Sequence, residues 1–252
     1  MLHFERLGQG RPLLLIHGFC EDLTVWRPIK ESLAANFDLL LIDLPGFGRS
    51  PLTQKHFSLD DVAKEIDKLL NSISVDSYSL AGHSLGGYVA LSLAELFPDK
   101  VDDLILVHST ALEDSEEKKV NRNRVVNFIE NHGVEHFLGQ FVPSLFNQDN
   151  IEAHKEHIDL VKAMGEQLTA ETIIAYTKAM RDRPNRMHIL SSNTVQNRFI
   201  YGDKDTIFTP SDIKKHSEVL GSKNVLKLSN CGHMGMYESP EILTKFLQEN
   251  LQ

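Results

Sequence analysis

Three short stretches carry residues that could do acyl-transfer chemistry together. Ser84 lies in Gly82-His83-Ser84-Leu85-Gly86, Asp205 in Gly202-Asp203-Lys204-Asp205, and His233 in Cys231-Gly232-His233-Met234. A serine hydroxyl is a poor nucleophile at neutral pH. An imidazole within hydrogen-bond reach removes its proton as the new bond forms and returns it to the leaving group. Histidine suits that role because its unperturbed ring titrates near neutrality. A carboxylate behind the ring fixes its tautomer and stabilises the imidazolium. The tetrahedral intermediate needs two N–H donors for its oxyanion. The Leu85 amide, next after the serine, is one, and the Phe19 amide in His17-Gly18-Phe19-Cys20 is the natural second.

The elements around these residues have the right order to bring them together. Ser77 to Leu80 reads as a strand and Tyr88 to Phe97 as a helix, so Gly82-x-Ser84-x-Gly86 sits in a sharp strand-to-helix turn. Pro12 to Ile16 and Asp38 to Leu44 are unbroken apolar runs of the kind found in strands buried on both faces. Further strands are expected at Leu2 to Leu7, Val101 to Val107, Asn197 to Tyr201 and Asn224 to Leu228. Helical spacing covers Thr24 to Ala35, a run from an N-cap at Ser58 to about Ile73, a run from Ser211, and Pro240 to Asn250. Alternation of strand and helix predicts a mostly parallel, doubly wound α/β sheet. In such a sheet the loops after the strands gather along one edge, so residues far apart in sequence can meet there.

The pattern breaks after Thr110. From Leu112 to about Leu190 the chain has no strand-like run. Helical stretches are expected at Glu116 to Asn131, Val134 to Phe141, Ile151 to Met164 and Thr169 to Arg181, with Pro143 and Pro184 as punctuation. Residues 113–192 therefore read as a helical cap inserted into a core made of 1–112 and 193–252.

Composition narrows the partners. The 252 residues are 41% hydrophobic and 24% charged, an ordinary globular balance, with a net charge of −9. That charge disfavours nucleic acid and anionic membranes. No apolar run approaches the roughly 20 residues of a membrane span, and no leader-like segment opens the chain. Two cysteines, Cys20 and Cys231, make no disulfide framework, so a cytoplasmic setting is expected. No Cys/His/Asp run has metal-ligand spacing, and neither a metal nor a cofactor is expected.

Taken together, His17-Gly18-Phe19, the run from Asp43 to Ser50 (DLPGFGRS), Gly82-His83-Ser84-Leu85-Gly86-Gly87, Gly202-Asp203-Lys204-Asp205 and Gly232-His233 resemble the α/β-hydrolase superfamily. The resemblance spans nearly the whole chain, and Ser, Asp and His follow in that fold's order. It implies an eight-stranded sheet with a cap after the sixth strand. Only 16 residues precede His17, too few for the full leading hairpin, so one edge strand is expected to be short or missing. The Gly-x-x-Asp pattern selects Asp205 over Asp203, which becomes a turn residue.

The implied activity is hydrolysis of a small carboxylic ester, thioester or lactone by water, through an acyl-enzyme on Ser84. Dehalogenases and epoxide hydrolases of the superfamily place Asp where Ser84 stands, which disfavours their chemistry. A lyase or carbon–carbon bond enzyme like the menaquinone-pathway synthase is an alternative. In that family a basic residue usually follows the paired glycines, where this chain has Tyr88. A slow-turnover small-molecule receptor is a third reading. Trp26, Phe137, Leu138, Phe141, Phe146 and Met234 are candidates to line an acyl pocket, with core packing as the rival role for each. Among other histidines, His17 is expected to support the oxyanion loop by hydrogen bonding, His83 flanks the nucleophile and points into packing or a neighbouring loop, and His108, after a strand end, could reach the pocket.

Overall fold

The computed structural model describes residues 1–192 and 195–251. Seven strands form one sheet: β1 (Phe4–Leu7), β2 (Arg11–Ile16), β3 (Phe37–Ile42), β4 (Tyr78–His83), β5 (Val101–Val107), β6 (Gln196–Gly202) and β7 (Val225–Leu228). Their order across the sheet is β1-β3-β2-β4-β5-β6-β7. All neighbours are parallel except β1, which runs antiparallel to β3. Among the described residues the strand count is seven rather than the eight implied by family resemblance, with β1 the single antiparallel strand at its edge.

The central strands are unbroken aliphatic runs because both faces are covered. Leu13 to Ile16 and Leu39 to Ile42 are fully buried. Each such side chain contributes about 1.5–3 kcal/mol relative to exposure. Covering helices come from the connections. They are α1 (Arg27–Ala34), α2 (Leu59–Ser72), α3 (Leu85–Leu96), α8 (Pro210–Leu220) and α10 (Pro240–Asn250), with a single turn α9 (Gly235–Glu238) behind His233. The run expected from Thr24 divides into a 3-10 turn, Leu23–Trp26, and α1, with Pro28 in the first turn of the helix where its missing N–H costs nothing. Ser58 caps α2, and Asp61 returns a bond to the Ser58 backbone, the reciprocal box anticipated from their spacing.

The chain between β5 and β6 is helical: α4 (Glu116–Ser144), α5 (Lys155–Glu166), α6 (Ala170–Arg181) and a short α7 (Met187–Leu190), with a 3-10 stretch Gln148–His154 before α5. The two helices expected at Glu116 to Asn131 and Val134 to Phe141 are the two halves of α4, broken at Gly133. Its φ of 82° and ψ of 170° belong to a region open to glycine almost alone. Residue 193, where the core was expected to resume, lies outside the described residues. Among the described residues no helix is long and apolar enough to cross a membrane.

Candidate active site

The sheet order explains how the site comes together. The chain winds outward from β2 to β3, then crosses back to β4, so β2 and β4 flank the switch point where open sheets bind ligands. Ser84 follows β4, and the His17–Phe19 loop follows β2 beside it. Asp205 follows β6 and His233 follows β7, the next two strand ends beyond β5.

Ser84 sits between β4 and α3 with φ 49° and ψ −114°, a conformation that L side chains rarely adopt. Its N–H donates to the Val107 carbonyl at 3.0 Å, and Ser109 Oγ donates to its carbonyl at 2.7 Å. The turn is packed too closely for side chains on its glycines. A Cβ at Gly82 would strike the Gly86 carbonyl, and one at Gly86 would strike the Ile16 carbonyl of β2. Ser84 keeps partial exposure while the surrounding residues 81–83 and 85–90 are buried. Leu85, as the first residue of α3, has no preceding helical turn to accept its N–H. That amide and the helix N-terminus therefore carry partial positive charge beside Ser84.

His233 Nδ1–H donates to Asp205 Oδ2 at 2.6 Å. His233 Nε2 is buried and has no partner among the described residues, so it is free to accept a proton. Asp205 Oδ1 accepts the Ile207 N–H at 2.9 Å. Burial opposes the charge on Asp205, but the facing rings of His233 and His108 outweigh it and hold the carboxyl well below its ordinary range. Asp203, the rival acid, is spent on the loop instead: its Oδ1 accepts the Asn230 N–H at 2.7 Å. The His233 loop is pinned by Glu238, whose carboxylate accepts the N–H groups of Gly232, Met234 and Asn147. His233 N–H itself donates to Leu145 O at 2.7 Å.

One feature was not drawn out of the sequence, and a second was drawn only as a histidine behind a strand end within reach of the pocket. The first is a buried pair beneath the site. Glu21 Oε2 accepts the Gly18 N–H at 2.6 Å and lies 3.0 Å from His83 Nδ1. His83 Nε2 lies 2.9 Å from the His233 carbonyl. The two ring nitrogens of His83 face the Glu21 carboxylate and the His233 carbonyl, an arrangement that favours a protonated ring. Burial works against that charge, yet Glu21 raises the affinity of His83 for its proton, while His83 lowers that of Glu21. In the sequence Glu21 is one of two adjacent carboxylates, with Asp22, in the loop behind a strand. The second is His108, whose Nδ1 lies 3.2 Å from Asp205 Oδ2. His108, Asp205 and His233 place metal-ligating atom types within 4.8 Å of one another. Both Nδ1 atoms point protons at the same carboxylate oxygen, so as arranged the group is a hydrogen-bonded one.

The other expected residues divide. His17 bridges its loop to the neighbouring strand, with Nδ1–H donating to Gly18 O at 2.8 Å and Nε2 accepting the Leu44 N–H at 3.0 Å. Phe141 and Phe137 stack on each other, and their rings meet Phe19 edge-on at 5.8 and 6.3 Å between centroids. Leu138 packs at Gly165 of α5. Trp26 is fully buried with its ring set edge-on to His83. Phe146 is buried among His154 and Tyr237, and Met234 is buried within the His233 loop. Burial pushes the thiols of Cys20 and Cys231 up, so both stay protonated.

Comparison with known proteins agrees with this architecture. The family model for the alpha/beta hydrolase fold matches residues 11–132. The dihydrolipoyllysine-residue acetyltransferase component of the acetoin cleaving system of Pseudomonas putida is 30% identical over 241 residues, 94% of this chain and 63% of that protein. The pimeloyl-[acyl-carrier protein] methyl ester esterase of Aeromonas salmonicida is 43% identical over 107 residues, 42% of this chain and 41% of that one. The chain thus spans less than two thirds of the length of these relatives. A thermophilic esterase from Thermogutta terrifontis, solved with malate bound, superposes with a TM-score of 0.92 at 29% identity, covering 99% of this chain and 92% of that one. With its sheet order, its strand-to-helix serine turn and these matches, the chain belongs to the α/β-hydrolase superfamily.

Proposed function

We propose that this protein is a serine hydrolase that cleaves a small carboxylic ester, thioester or lactone. The observation that carries the proposal is a strained Ser84 at the head of α3 together with a His233 on a nearby strand end whose Nδ1 is held by Asp205 at 2.6 Å and whose Nε2 has no partner among the described residues. Ser84 Oγ attacks the acyl carbonyl and its proton passes to His233 Nε2. The N–H groups of Leu85 and Phe19 hold the oxyanion, and each is worth roughly 3 kcal/mol of transition-state stabilisation. The imidazolium protonates the departing alcohol or thiol, leaving an acyl-enzyme. Water, deprotonated by His233, then releases the acid and restores Ser84.

Residues 113–192 serve in this reading as a cap. The second half of α4 brings Phe137 and Phe141 against Phe19, which supports an apolar acyl group beside the oxyanion loop. A carbon–carbon bond reaction on a carboxylated substrate fits less well. The guanidinium of Arg183 stacks 4.1 Å over the Tyr88 ring, but it is buried and paired with Asp114 at 2.8 Å. Its charge is therefore already met.

The test is intact-mass spectrometry after fluorophosphonate treatment of the native protein and of Ser84→Ala. One adduct that maps to Ser84 and is lost in the variant is expected, followed by turnover of p-nitrophenyl esters. Folded native protein that takes no adduct would sink the proposal.

A further inference from the structure

His108 stands at the end of β5, between the strands that carry Ser84 and Asp205. Its backbone is left-handed, with φ 46°, and its N–H donates to Ile200 O at 2.8 Å, which fixes it to the sheet edge. The ring is fully buried. Because Asp205 is ionised, the His108 Nδ1 at 3.2 Å carries a proton and donates to Oδ2, the same oxygen that takes the His233 proton at 2.6 Å. With the Ile207 N–H on Oδ1, the carboxylate holds three donors. His108 Nε2 has no partner among the described residues and faces the His233 loop, where a Cβ on Gly235 would lie 2.5 Å from it. Burial lowers the ring's pKa to about 4 despite Asp205, so His108 is neutral. The charged and titratable groups that face it are Asp205, the His233 ring at 5.6 Å and the His83 ring at 6.0 Å, the last paired with Glu21.

We propose that His108 is a positioning residue: a neutral donor that shares Oδ2 of Asp205 with His233 and so limits how tightly the carboxylate holds a proton on the catalytic imidazole. The proposal rests on the Ser84–His233–Asp205 reading above. A carboxylate oxygen that already accepts one bond carries less charge toward the next donor. An Asp205 bonded to His233 alone would stabilise the imidazolium more. The base would then stay protonated to higher pH and be less available at neutrality.

The experiment compares native protein with His108→Phe, which removes the donor, and His108→Asn. The Asn Nδ2 occupies the place of the imidazole Nδ1 and asparagine tolerates a left-handed backbone. Two readouts are taken: the acidic limb of the pH profile for fluorophosphonate labelling, and the NMR titration of the His233 ring proton. In His108→Phe both are expected to move to higher pH by about one unit, tenfold in proton affinity. In His108→Asn both are expected to stay near the native position. If His108→Phe does not fold, His108→Gly, which suits the backbone, replaces it. An unmoved His233 titration without the donor, or an equal shift in both variants, overturns the proposal. The ring titration responds to His108 with or without turnover. Loss of labelling in the native protein would instead count against the catalytic reading, so the two failures are distinguishable.

Discussion

At the level of single residues, the choice between the two aspartates is the sharpest test of the proposed machinery. Asp205 is buried on the base, while Asp203 is exposed and closes a turn to Asn230. Asp205→Asn removes the charge that orients His233 and favours its protonation. It should cut kcat for ester hydrolysis by about 10³ to 10⁴ while KM changes little. Asp203→Asn should stay within a few-fold of native. Equal losses, or the reverse ranking, would refute the assignment. Ser84, Asp205 and His233 were legible because each lies in a short loop directly behind an apolar strand. His108 was placed behind a strand end within reach of the pocket but without its contact to Asp205, and Glu21 was not singled out. Their partners lie 97 and 62 positions away, and which strand ends become neighbours depends on sheet order rather than local pattern.

At the level of elements, the broken helix α4 links backbone to specificity. Its break, at Gly133, falls between the two helical runs expected at Glu116 to Asn131 and Val134 to Phe141. What the sequence could not give was the direction of the second half, since the same apolar spacing at Phe137, Leu138 and Phe141 suits core or pocket. Gly133 is exposed, and nothing lies within 4 Å of a Cβ built there. Its glycine requirement is therefore conformational. Gly133→Ala should destabilise the protein by about 1–3 kcal/mol in urea unfolding, with no clash to relieve. A neutral substitution would mean that the break straightens freely. Phe141 is only half-buried where it meets Phe19. Phe141→Ala should shift preference toward bulkier acyl esters, read as a changed ratio of kcat/KM across a p-nitrophenyl series. Its melting temperature should fall by only a few degrees, as expected for about 1 kcal/mol in a domain this size. A large fall in melting temperature with unchanged preference would make Phe141 a core residue and no more.

Across the whole molecule, the candidate site is assembled from loops behind five strands, and the buried Glu21–His83 pair ties its two sides together. Glu21 holds the His17–Phe19 loop through Gly18, and His83 reaches from the Ser84 turn to the carbonyl of His233. Alternation of strand and helix made the sheet legible, because two-sided burial demands long aliphatic runs. The pair was hidden, because a charge inside the core is defined by its partner alone. Glu21→Gln leaves His83 without its counter-charge and should cost about 3–5 kcal/mol. The pH dependence follows from the two shifts. Glu21 is lowered from 4.5, so its contribution is present above that pH and is lost as pH falls through the lower folded value. His83 is raised from 6.5, so its contribution is complete below that pH and is lost as pH rises through the higher folded value. The pair is therefore most stabilising between 4.5 and 6.5. Urea unfolding of native protein and Glu21→Gln should show the larger difference near pH 6 and a smaller one near pH 9. A difference that stays constant across that range would mean that Glu21 acts as a hydrogen-bond acceptor for Gly18 and not as the partner of a charged His83.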